Sequence, residues 1–331
     1  RLRETAVAYG FLAPATLVLI LFWLWPAIFA LWISVNRYQL GGAMNFIGLS
    51  NYTSALGDDD FLKSLMNTVN FVIYSVPTSL ALSLVIAVLL NSKIRLLGLF
   101  RTVYFLPYIT STVAVAVVWF FIFNQQPFGL ANYVLSFFGV KPVNWLNDTR
   151  GIWEIAVGAL TGKSGFRLGM DVTADRPFLF MLTLLARGPS VALCSIIIMT
   201  IWRSIGYAMV IYLAGLQGID KAYYEAADID GATPWQKFWR ITWPLVSPYT
   251  FFLAVITTIF AFKEFVAVFI MTPTGGLDGD TQTIVFYLYD LAFVGRPNFG
   301  KAAAVGFILF LILTVISLIQ KWLIGSRVHY D

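Results

Sequence analysis

Residues 11–33 read FLAPATLVLILFWLWPAIFALWI, an uncharged apolar run. About 20 such residues in a helix cross the hydrocarbon core of a bilayer. A secretory signal has an apolar region of about 7–15 residues and a small-residue cleavage site. This run is longer and bulky residues follow it, so it reads as a retained spanning helix. Composition agrees: 59% of the 331 residues are hydrophobic and 12% are charged, against about 25% charged in soluble domains. A water-soluble core cannot hide that much apolar surface, so the expected solvent is lipid. Aromatic residues at 17% suit the belts found at membrane interfaces.

Five more runs of spanning length follow, at about 67–90, 103–123, 191–214, 245–271 and 302–324. Pro77 is expected to kink the second, and Pro107 lies near the start of the third. The expected fold is therefore all-α, an integral membrane protein of six transmembrane helices in one domain, 1–331. Between the third and fourth spans lies a long interval, 124–189. Its apolar patches at 152–160 and 178–186 are too short to span, so short helices on the membrane face are expected there. The first residue, Arg1, is not Met, as expected of a trimmed or partial start.

Six spans place both termini on one side, and the bias of Lys and Arg in short loops decides which. The termini with loops 91–101 and 215–244 hold ten cations: Arg1, Arg3, Lys93, Arg95, Arg101, Lys221, Lys237, Arg240, Lys321 and Arg327. The short loops opposite hold four, Arg37, Lys63, Arg296 and Lys301. Long translocated segments are discounted, so the six cations of 124–189 do not count. The termini and 215–244 are expected in the cytoplasm, and 124–189 outside. The net charge of +5 then faces anionic headgroups rather than nucleic acid.

Soluble-type chemistry has little to build on. Cys194 is the one cysteine and lies in an apolar run; His329 is the one histidine. No metal site is expected from one of each, and no catalytic triad or carboxylate pair emerges. Gly158, Gly162, Lys163 and Ser164 imitate a phosphate loop, but three residues separate the first glycine from Gly-Lys where four are needed. The matches to the glycosylation sequon at Asn51 and Asn147 carry no function. Charges inside spans say more, being costly and usually functional. Arg203 falls mid-span in the fourth and is expected to be structurally paired. Lys263 and Glu264 fall in the fifth, where they either bond to neighbouring helices or line a polar pathway.

The polar loop at 224–244, YEAADIDGATPWQKFWRITWP, is the longest ordered-looking interval between spans. Glu225-Ala226-Ala227, then Asp230-Gly231, then Ile241 and Pro244 resemble the EAA signature of binding-protein-dependent ABC importer permeases. Trp243 stands where that signature has leucine. FIGLSNY (46–52), NTVNF (67–71), FRTVYFLPY (100–108), WRSIGY (202–207), LAGLQGID (213–220) and NFGKAAAVGFILF (298–310) resemble the maltose-type carbohydrate branch. The likeness covers nearly the whole chain except about 151–189, which reads as an insertion.

The resemblance implies the type I permease fold, with 215–244 as a coupling loop. Two short helices would meet at Gly231, where glycine permits backbone angles that a Cβ strains. Glu225, Ala226, Ala227, Asp230, Gly231, Ile241 and Pro244 would then couple the spans to a separate ATPase. It implies no catalytic residue, no metal and no cofactor in this chain, with ATP and Mg bound by partner ATPase subunits. The implied partners are a second homologous permease, two cytoplasmic ATPases, an extracytoplasmic solute-binding protein, a sugar substrate and membrane lipid. The implied location is the bacterial inner membrane, and the implied cargo a di- or oligosaccharide. Thr257, Ala261, Lys263 and Glu264 are the substrate-pathway candidates. The last two stand where the maltose permease has asparagines, so the pair either neutralises itself, lies off the pathway, or serves an acidic cargo such as a uronate or glycerol phosphate. A stand-alone secondary transporter relaying ions through Arg203, Lys263 and Glu264 is the rival of another class; an integral membrane enzyme is a third.

Overall fold

A computed structural model of the chain describes residues 2–39, 44–91, 95–126, 129–162 and 177–323. Lys163 and Ser164 of the imitation phosphate loop, and His329, lie outside the described residues. In chain order the helices are α1 (Leu2–Leu19), α2 (Trp25–Ser34), α3 (Ser50–Leu56), α4 (Asp59–Leu90), α5 (Leu97–Ile109), α6 (Thr112–Ile122), α7 (Leu130–Ser136), α8 (Ile152–Thr161) and α9 (Pro177–Arg187). They continue with α10 (Val191–Gln217), α11 (Lys221–Ile229), α12 (Pro234–Lys237), α13 (Trp243–Leu245), α14 (Ser247–Phe262), α15 (Val266–Met271), α16 (Ile284–Phe293) and α17 (Phe299–Leu323). The described strands, β1 (Asn36–Arg37) and β2 (Asn45–Phe46), form a small antiparallel hairpin.

Four stretches are long and apolar enough to cross a membrane unbroken: Tyr9–Ser34, α4, α10 and α17. Two bent pairs, α5 with α6 and Pro234–Leu245 with α14, bring the number to six if each counts as one span. The first, second, fourth and sixth expected spans are thus found, with ends shifted by a few residues. Pro77 lies inside a continuous α4. The third, expected over 103–123, is divided into α5 and α6. It turns by 96° because Thr110 and Ser111 are extended, and Thr110 donates both its backbone N–H and its hydroxyl to Leu106 O, at 3.2 and 2.8 Å. The fifth is broken at Lys263–Phe265, between α14 and α15. Between the fifth and sixth expected spans, the run IVFYLYDLAF forms a further helix, α16.

The chain packs as two units, one of residues up to Phe61 with Tyr287–Leu311, the other of Leu62–Phe286 with Ile312 onward. In the first, the stretch from Tyr9 to Ser34 is wholly exposed along its most apolar window. A π turn, Ile20–Leu24, joins α1 to α2, placing the extra residue where Pro26 supplies no N–H to the ladder. Asn51 ties the turn after α2, donating to Ser34 O and Asn36 O at 2.8 and 2.9 Å. Ahead of α4, Asp58 accepts from Lys301 and, at 2.9 Å, from the Tyr287 hydroxyl.

The second unit holds the main core, where α4, α10, α14 and α15 bury Phe71, Leu193, Ile196, Met199, Met209, Tyr212, Leu253 and Met271. Lipid offers no hydrophobic drive for helices to associate, so close packing and interhelical hydrogen bonds hold them. Gly206 supplies the first: a Cβ there would lie 2.1 Å from Tyr104 O on α5. Ser83 supplies the second, its hydroxyl donating to Ile205 O at 3.1 Å.

The segment after Arg150 forms the two short helices expected, α8 and α9. Gly151 and Ser190 meet in an isolated antiparallel bridge, so the segment leaves and rejoins the chain at one point. Buried Glu154 accepts from Gly151 N at 2.9 Å and from Arg187 Nε at 3.0 Å. Trp153 Nε1 donates to the Tyr74 hydroxyl on α4 at 2.6 Å. The excursion is therefore pinned at its base and to a spanning helix.

Burial alone would raise the Asp58 carboxyl, but its bonds from Lys301 and Tyr287 outweigh that and hold it below its ordinary 3.8. A carboxyl lowered by folding stabilises above its unfolded pKa and loses that contribution as pH falls through the folded value. Melting of the detergent-solubilised protein should therefore weaken between about pH 5 and pH 3. Lys301→Met should flatten that acid limb, as read by melting temperature against pH.

Candidate functional site

The loop at 215–244 is built from two capped helices. Asp220 caps α11, accepting from Ala222 N at 3.0 Å. At its other end Gly231 has φ +72°. Gly231 N donates to Asp228 O at 3.1 Å and Ala232 N to Ala227 O at 2.9 Å, the paired bonds of a Schellman termination. Thr233 then opens α12: Gln236 N donates to Thr233 Oγ1 at 3.3 Å, and Thr233 N to Gln236 Oε1 at 2.7 Å, with Pro234 at the first turn. Lys237 forms an ion pair with Asp228 across the turn, and the Tyr224 hydroxyl bonds Thr242 Oγ1 at 3.0 Å.

The two helices are thus locked to each other, yet α11 contributes no buried residue. Glu225, Ala226, Asp230 and Gly231 are exposed and Ala227 is half-buried. Ile229, at 88% exposure, is an apolar side chain with nothing covering it. Ala227, Asp230, Gly231 and Ile241 line one depression of about 340 Å³ with Lys237 and Arg240. Ile241 falls in a π turn, Phe238–Thr242, and Pro244 in the short α13 that follows. The chain then bends by 62° into α14.

A second cavity of about 340 Å³ lies among α4, α10, α14 and the two helix breaks. All four pathway candidates, Thr257, Ala261, Lys263 and Glu264, line it. The structure adds Arg203, expected to be paired: it lines the same cavity, makes no ion pair among the described residues, and has Nε buried without a partner. Ser75 Oγ and Thr200 Oγ1, also on its wall, are likewise buried without partners. Lys263 and Glu264 do not neutralise each other. Glu264 Oε1 accepts from Ala267 N at 3.0 Å, covering the first turn of α15, and Thr283 Oγ1 donates to Glu264 O at 2.8 Å. Lys263 is exposed and makes no ion pair among the described residues. Tyr108 and Tyr207 stack beside the cavity, centroids 4.8 Å apart and planes 21° apart.

The sequence left Tyr108, Tyr207, Thr112, Thr200 and Ser75 unremarked as site residues. The available signal was polar and aromatic residues within otherwise apolar spans. Tyr108 and Tyr207 fall inside FRTVYFLPY and WRSIGY, two of the stretches that carried the resemblance.

Residues 52–327 match the family described as binding-protein-dependent transport system inner membrane component. The chain belongs to that family. It is 30% identical over 97% of its length to the sn-glycerol-3-phosphate transport system permease protein UgpA of Agrobacterium fabrum (strain C58), covering 96% of that protein. It is 32% identical over 98% of its length to the arabinooligosaccharides transport system permease protein AraP of Bacillus subtilis (strain 168), covering 90% of it. Among solved structures it resembles a bacterial ABC transporter involved in the import of the acidic polysaccharide alginate, at TM-score 0.69 and 22% identity, covering 98% of this chain and 96% of that one.

The fold is that of type I ABC importer permeases. The chain is an inner-membrane permease subunit, and ATP hydrolysis resides in a separate partner. Membership displaces the stand-alone secondary transporter and the membrane enzyme.

The geometry at Gly231 is directly testable. Ala in the left-handed region costs about 1 kcal/mol, so Gly231→Ala should speed amide exchange across 227–232. Gly231→Asn, which tolerates the same φ, should cost less.

Proposed function

We propose that this chain carries a carbohydrate across the inner membrane from an extracytoplasmic binding protein, and that α11 and α12 are its contact with the ATPase. The carrying observation is the loop itself: two mutually capped helices, held rigid within, that leave Glu225, Ala226 and Ile229 open. A rigid projection without a buried face is what a lever docked in another subunit requires. Small Ala226 and Ala227 allow close approach, and Glu225 can meet a basic group across the interface.

In this reading 215–244 and both termini are cytoplasmic, and 124–189, with the inserted helices of 151–189, faces outward. A second homologous permease completes the pathway, and two ATPases bind ATP and Mg. Closure of those ATPases moves α11 and α12 as a body, and the Ile241–Pro244 turn passes the movement into α14. The cavity is the solute's station. Its hydroxyls and the Tyr108–Tyr207 stack suit a sugar, whose ring has an apolar face and whose edge has hydrogen-bonding groups. The named relatives serving arabino-oligosaccharides and glycerol phosphate support that class.

Glu225→Ala in the assembled complex should lower substrate-stimulated ATP hydrolysis about tenfold, the equivalent of one contact of about 1.4 kcal/mol. Co-purification of the ATPase checks assembly separately. Full stimulation in an assembled Glu225→Ala complex would remove the coupling role.

A further inference from the structure

The wall of the cavity is unbalanced in charge and in hydrogen-bonding sense. Its charged residues are Arg203, Lys263 and Glu264, two cations and one anion, a formal excess of +1. Glu264 is already engaged, since one carboxylate oxygen holds the amide of Ala267. No ion pair joins it to Arg203, although both line the same cavity. Arg203 and Lys263 can only donate. Arg203 Nε and the hydroxyls of Ser75 and Thr200 are buried there with no partner. A charge within a span is expensive and is kept where it meets an opposite charge or a pathway. Here the unpartnered groups belong to residues of one cavity wall.

A neutral sugar brings donors and acceptors in similar number, whereas a carboxylate or phosphate brings acceptors alone and a charge. We infer that the cavity takes a carbohydrate bearing an anionic group, a carboxylate or a phosphate, which Arg203 holds in exchange for Glu264. The inference rests on the importer reading above. Glu264 then has two separable duties. Its oxygen covers the amide of α15 whether or not solute is present, and its charge compensates Arg203 only while the cavity is empty. A glutamine at 264 keeps the acceptor and loses the charge. The Tyr108–Tyr207 stack gives the sugar ring a flat contact beside the charge, so specificity for the anion and for the ring fall on neighbouring residues.

The test is titration calorimetry on the solubilised permease–ATPase complex at physiological salt, with two matched pairs of probes. One pair is trigalacturonate and its carboxyl-reduced neutral trisaccharide; the other is glycerol phosphate and glycerol. At least one charged probe should bind about tenfold more tightly than its uncharged counterpart, the range of a hydrogen bond to a charged group. The pair showing the preference identifies carboxylate or phosphate as the source. Arg203→Gln should abolish the preference and Arg203→Lys restore part of it, whereas a merely structural Arg203 would change both members of a pair alike. Glu264→Gln should tighten the charged probe severalfold and leave the neutral one unchanged. Equal affinities, no binding of either charged probe, or a preference that survives Arg203→Gln would overturn the inference. None of these outcomes touches the importer reading, which stands or falls on Glu225.

Discussion

A backbone that leaves the helical path inside a bilayer must find partners for the amides and carbonyls it frees, because lipid supplies none. Among the described residues, the helix breaks at Thr110–Ser111 and at Lys263–Phe265 border the same cavity. At the first, Thr110 closes α5 back onto Leu106 O. At the second, Glu264 receives the amide of Ala267 and Thr283 bonds the Glu264 carbonyl. Irregular backbone in a membrane is tolerated where it is buried in protein or lines a wet cavity. The two breaks and the cavity are therefore one feature: the breaks open the space, and the space makes the breaks affordable.

The same constraint explains why close packing matters at particular points. With the third span turning sharply after α5, α5 must still lie against α10, and glycine at 206 avoids a Cβ that would meet the Tyr104 carbonyl. Hydroxyls replace part of the hydrophobic drive that lipid cannot supply: Ser83 bonds α10, and Gln320 bonds Thr258 at 3.0 Å.

The sequence showed the spans because length and apolarity are one-dimensional properties. It showed the loop at 224–244 because a polar interval between apolar runs and the spacing from Glu225 to Pro244 are one-dimensional too, whereas the caps at Asp220, Thr233 and Gln236 emerge only from the structure. It did not show the breaks. Thr110-Ser111 and Lys263-Glu264 read as polar interruptions, but whether a span tolerates them straight or broken depends on what neighbouring helices offer. Arg203 was misread for the same reason. An arginine in a span normally implies a partner, and only the three-dimensional arrangement shows that the carboxylate facing its cavity is occupied by an amide. Nothing in the sequence marked α16, since its ten residues are too few to span.

The two sites are joined by one short path. From Thr233 the chain passes through α12, the π turn, α13 and α14 to Lys263 with no extended link. The π turn precedes Pro244, whose ring supplies no amide to the ladder, and the 62° bend follows at Val246. Those two irregularities let the segment change direction without losing continuity. On the proposed coupling, a displacement of α11 and α12 is delivered to the far end of α14. That end carries the break that shapes the cavity wall. On the proposed reading, the residue at which force arrives is adjacent to the one that answers Arg203. Coupling and release of the anion therefore act on the same few residues, since any movement of α15 relative to α14 shifts the Glu264 carboxylate that competes with the cargo.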